Sequence, residues 1–111
     1  MAISATDVPI LGLDMVEADL EGLDTAKLVG HLNCWAYLQA AKGARNQKFL
    51  ADWAAYVKAK NVPFSADTVI DPMVSAYDSV NLWALAAAKA GSFAVPEVRK
   101  AFAGLSFDDP S

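Results

Sequence analysis

Cysteine is nearly absent: Cys34 stands alone among 111 residues, which excludes an intrachain disulfide. Histidine is as scarce, and His31 with Cys34 makes no metal-ligand set of the usual size. Their three-residue spacing also lacks a third group for a nucleophile, base and orienting partner, and a free cysteine is most often a small buried apolar residue. No catalytic residue and no metal or cofactor site is therefore read from the chain. Positive charge is short: 9 Lys and Arg face 13 Asp and Glu, for a net charge of −4. Without a basic stripe to neutralise phosphates, nucleic acid is excluded as a partner. No apolar run approaches the roughly 20 residues that cross a bilayer. Residues 84–88, ALAAA, are too short and too weakly hydrophobic. Neither a basic segment nor an apolar one follows Met1, so no secretory leader is expected in the sequence as written.

What remains is a compact, helix-rich pattern. Apolar residues make up 55% and charged residues 20%, the balance of one folded domain or of part of a larger one. Residues 8–13, VPILGL, form a short apolar run between Asp7 and Asp14. Its length, Pro9 and Gly12 fit a buried parallel strand. Val16, Leu20 and Leu23 among Glu17, Asp19 and Glu21 predict a short acidic helix. Residues 28–38, LVGHLNCWAYL, read as a second strand over about 29–38, with a helix as the competing reading. After Gly43, the spacing of Phe49, Leu50, Trp53, Ala54 and Val57 predicts a helix over 47–60 capped by Asn46.

The most regular grammar lies further on. Asp71 and Pro72 supply a capping carboxylate and a first-turn proline. Met73, Ala76, Tyr77, Val80, Trp83, Ala84 and Ala87 then recur at three- and four-residue spacing up to Gly91. This predicts a helix over 71–90. Pro96 opens a shorter helix, 96–103, stopped at Gly104. The expected fold is thus α/β and helix-rich, with two short parallel strands and about four helices. Trp53, Tyr77 and Trp83, at helical spacing, are expected in the core.

Several blocks in fixed order resemble the type I periplasmic binding proteins of ABC transporters, in the branch that handles urea and short-chain amides. They are Gly30-His31-Leu32 with Trp35 and Tyr37, Asn46-Gln47-Lys48-Phe49, Asp71-Pro72-Met73 and Ala76-Tyr77. Leu82-Trp83, Lys89-Ala90-Gly91-Ser92-Phe93, Val98-Arg99-Lys100-Ala101 and Ala103-Gly104-Leu105-Ser106-Phe107 complete the set. The resemblance runs from about residue 8 to 110 and corresponds to the last third of such proteins. It implies a partial type I fold that is not a complete two-lobe structure: residues 1–40 as a carboxyl-terminal-lobe segment and hinge, and 45–105 as helices of the amino-terminal lobe. It further implies a non-enzymatic solute-binding fragment of an importer, with a small polar solute of the urea or amide class as ligand and the transporter permease as partner of the full-length parent. The periplasm is implied for that parent, and the cytoplasm for the sequence as written. An amide-sensing cytoplasmic regulator of the same fold and a small helical interaction module stand as alternatives. Ala94 departs from the pattern, leaving the last helix without the polar cap such proteins often have. Apolar faces that pack on other strands in such proteins would be open to self-association.

Ligands of open α/β sheets sit at the carboxyl ends of the strands. Asp14, Met15, Val16 and Glu17 follow the first strand there, where they could hold an amide or simply cap the next turn. Trp35 and Tyr37, at the end of the second strand, could line the cleft or pack in the core. These six are the candidate ligand-binding residues.

Overall fold

A computed structural model describes residues 4–110. The chain divides into two compact units, the first ending at Asp71 and the second running from Pro72 to Pro110. The first unit carries an open, two-stranded parallel sheet, β1 (Leu11–Gly12) and β2 (Leu32–Asn33), in register Leu11 with Leu32 and Gly12 with Asn33. Between the strands lie two short 3-10 turns, Glu17–Leu20 and Thr25–Leu28. Helix α1 (Ala44–Lys60) follows. Helix α2 (Asp71–Ala90) begins on the last residue of this unit and runs through the second, which also holds α3 (Val95–Ala101). The helix-rich α/β arrangement with two parallel strands is as expected, and it is consistent with part of a type I periplasmic-binding-protein fold.

The expected boundaries change most at three places, and the last helix runs Val95–Ala101 rather than 96–103. The strands are two residues long rather than six and about ten. Leu32 N–H donates to the Ile10 carbonyl and Cys34 N–H to the Gly12 carbonyl. On the amino side Ile10 N–H is instead taken by His31 Nδ1 at 3.1 Å, and Pro9 has no N–H to offer. Gly30 sits at φ +97°, a conformation that cannot continue into a strand. Of the acidic helix expected over 16–23 only the 3-10 turn Glu17–Leu20 forms, so the α-helices number three rather than about four among the described residues. Helix α1 starts at Ala44, three residues early, and Asn46 lies inside its first turn rather than capping it.

The end of α2 follows its sequence. Gly91 takes φ +60°, Ser92 N–H donates to Ala87 O and Gly91 N–H to Ala88 O, the paired closure in which a left-handed glycine satisfies the last carbonyls. Ser92 Oγ then accepts the Ala94 N–H at 3.0 Å, a side-chain contact just before α3 that Ala94 itself cannot supply. Val98 on α3 packs with Ala86 and Ala87 of α2, and Ala101 and Leu105 complete this small core. The aromatic residues expected in the core are largely outside it. Tyr77 and Trp83 are 44% and 45% exposed, and Trp53 is half-buried. Helical spacing gave the right face, but the rings pair with neighbouring rings instead of filling an interior: Trp83 stacks on Phe93 at 5.8 Å and Trp53 on Tyr56 at 6.0 Å.

Candidate functional site

The carboxyl ends of β1 and β2 point toward residues 13–17 and 34–40, and hydrogen bonds gather these two segments. Trp35 Nε1–H donates to the Met15 carbonyl at 2.6 Å, and Asn33 Nδ2 donates to the same oxygen. The Asp19 carboxylate accepts the Val16 N–H at 2.9 Å, fixing the first 3-10 turn. Glu17, half-buried, reaches across so that its carboxylate accepts both the Gln39 N–H and the Ala40 N–H, the latter at 2.9 Å. A carboxylate that bridges two successive backbone N–H groups makes charge-assisted bonds, among the stronger ones available to a loop.

Beneath this bridge the 37–41 segment is sewn to its surroundings. Tyr37 is 4% exposed; its N–H donates to Asp71 Oδ2 at 2.7 Å and its hydroxyl to Asn46 Oδ1 at 2.8 Å. Asn46, 1% exposed, turns its amide nitrogen to the Gln39 and Ala41 carbonyls. Gln39 spends both ends of its side chain on the 65–70 loop, donating to Asp67 O at 2.8 Å and accepting from Val69 N–H at 2.7 Å. Burial, and secondarily the Glu17 charge, pushes the Tyr37 phenol above its ordinary range.

Two cavities flank the 14–17 turn within the first unit. One, of about 240 Å³, is lined by Glu17, Ala18, Glu21, Gln39, Ala40, Leu50, Asp67 and Thr68. Its polar groups are chiefly carboxylates, an amide and a hydroxyl, with no basic side chain in its wall. The other, of about 260 Å³, is apolar, walled by Ile10, Met15, Leu20, Leu28 and Leu32 with Gly12, His31 and Asn33.

Of the six residues expected from sequence, Met15 and Trp35 are in direct contact, Val16 is held by the turn, and Glu17 and Tyr37 belong to the 37–46 network. Asp14 stands exposed on the turn. Sequence reading missed Asn33, Gln39, Asp67 and Thr68, and it took Asn46 for a cap. The only signal for Asn46 was a short amide beside a helix start, which points equally to capping and to inward bonding. No group of three or more His, Cys, Asp or Glu side chains among the described residues could hold a metal ion, and no helix among them is long and apolar enough to cross a membrane.

A model of the periplasmic binding protein domain matches the chain over residues 1–111. The chain belongs to this family. It is a non-catalytic, solute-binding-type domain, and the resemblance read from its sequence blocks holds at that level. No curated protein matches the chain.

Proposed function

We propose that this periplasmic binding protein domain contributes one side of the solute site of an ABC importer for urea, short amides or a related small polar compound. The importer's permease is the partner, and the periplasm is the working compartment of the full-length protein. Residues Asp14, Met15, Val16 and Glu17, with Trp35 and Tyr37, frame the contact region. The observation that carries this reading is the Glu17 bridge to the Gln39 and Ala40 N–H groups beside a cavity rich in acceptors. Urea and amides present several N–H donors on a small planar body, and acceptor groups in a half-enclosed wall complement them. Tyr37 supports the wall from beneath, since its hydroxyl is committed to Asn46. Trp35 holds the Met15 carbonyl and so sets the path of the turn.

Calorimetric titration with urea and acetamide, and with glucose and leucine as counter-solutes, tests this. The isolated chain is expected to respond to the amides alone, with affinity weaker than micromolar, because it supplies only part of the contacts. Micromolar binding of an amide would overturn the shared site, and heat from glucose or leucine without heat from amides would overturn the solute class.

A further inference from the structure

The apolar cavity of the first unit, about 260 Å³ in volume, has no part in the solute reading above. Its wall follows from strand geometry. Side chains two apart along a strand share a face, and paired residues share it across the ladder. The register of Gly12 with Asn33 and Leu11 with Leu32 therefore sets Ile10, Gly12, His31 and Asn33 on one side of the sheet. Met15, Leu20 and Leu28, from the segments between the strands, complete the wall there. An apolar protein cavity of roughly 150 Å³ takes up benzene, so this one has room for a six-membered ring or a short alkyl chain.

Two polar atoms in this wall have no hydrogen-bond partner among the described residues. His31 Nδ1 accepts the Ile10 N–H at 3.1 Å, so that nitrogen carries no proton and the imidazole N–H sits on Nε2, where no protein acceptor meets it. Asn33 donates through Nδ2 to the Met15 carbonyl, which leaves Oδ1 as an acceptor. A methyl group at position 12 would lie 3.2 Å from that oxygen, so Gly12 keeps it uncovered. No Asp, Glu, Lys or Arg lines the cavity, and an ion entering it would give up hydration without meeting a counter-charge. We propose that this cavity is a second binding site, for a small uncharged alcohol whose hydrocarbon body lies against Ile10, Met15, Leu20 and Leu28 and whose hydroxyl accepts from His31 Nε2–H and donates to Asn33 Oδ1. A hydroxyl makes both bonds through one atom, whereas a ketone makes only the first and a hydrocarbon neither. The site lies apart from the Glu17 bridge and does not depend on amides binding there.

The test is a titration of the full chain with cyclohexanol, followed by methyl-region nuclear magnetic resonance, beside cyclohexanecarboxylate and cyclohexylammonium, which keep the ring but carry a charge. Cyclohexanol is expected to give saturable shifts at the Ile10, Met15, Leu20 and Leu28 methyls with a millimolar Kd, and each charged analogue to bind about tenfold or more weakly. Gly12 is not in the left-handed region, so Gly12→Ala is free of backbone strain and sets its methyl against Asn33 Oδ1. It should weaken cyclohexanol about fivefold, the worth of one neutral hydrogen bond. Shifts that rise linearly without saturation, equal saturation by a charged analogue, or wild-type affinity in Gly12→Ala would overturn the proposal. If Gly12→Ala does not fold, the three ligands on the wild type decide alone: saturation by cyclohexanol only upholds the site, and any other pattern refutes it.

Discussion

Replacing Asn46 by alanine should be the most damaging single change in the first unit. The side chain is 1% exposed and makes three hydrogen bonds, from the Tyr37 hydroxyl and to the Gln39 and Ala41 carbonyls. At about 1 kcal/mol net for each bond, with a further penalty for a buried hydroxyl left unpaired, the loss should reach about 3–4 kcal/mol. The Gln39 and Ala41 carbonyls lie in less buried residues and can recover water, so the upper part of that range depends on Tyr37. Tyr37→Phe removes the hydroxyl and strands Asn46 Oδ1, for about 1–2 kcal/mol. In the double variant the shared bond is lost only once, so the two costs should fall short of additivity by about 1 kcal/mol. Equilibrium unfolding in guanidinium chloride, followed by tryptophan fluorescence and circular dichroism, measures all three variants; urea is avoided because it belongs to the proposed solute class. A loss below about 1 kcal/mol for Asn46→Ala, or full additivity with Tyr37→Phe, would refute the claim that this polar knot holds the 37–41 segment.

Two further outcomes are expected. Because the Tyr37 phenol is raised by burial and by Glu17, its stabilisation is intact below the ordinary value of 10.0 and is lost as pH rises through the elevated folded value. Unfolding midpoints taken into alkali should therefore fall more steeply in the wild type than in Tyr37→Phe, and parallel slopes would contradict this. Ile10, Leu11, Leu13 and Leu32 are each more than half exposed around the open sheet, so sedimentation should show mass rising with concentration and Leu32→Lys should reduce the rise. A wild-type monomer at high concentration would argue against association through this face.

The sequence revealed elements whose signals are local. Pro72 and Gly91 mark the first turn and the end of α2, because a first-turn proline and a left-handed closure are settled locally. The strands were less legible, since a ladder extends only where a neighbour offers partners: His31 Nδ1 and Gly30 end the pairing that the apolar runs would otherwise continue. Periodicity identified the apolar side of α2 but not its depth. Ala86 and Ala87 are buried there while Tyr77 and Trp83 stay largely exposed, because α3 brings only Val98 and its neighbours to that core. In the candidate site, the strand-end rule singled out residues 14–17 with Trp35 and Tyr37, and the structure joins Trp35 to Met15 by a hydrogen bond. Partners such as Gln39 and Asp67, 28 residues apart, carry no periodic or capping signature and became visible only through their bond.

Whether the wall formed by residues 14–17 and 37–40 contacts solute is best tested by amide chemical-shift mapping of the chain titrated with acetamide. Saturable shifts are expected at the N–H groups of Glu17, Gln39 and Ala40 and at the Trp35 indole, and Glu17→Gln should weaken them. Shifts that rise linearly and uniformly over the chain, or a saturable response confined to the second unit, would contradict the proposed site.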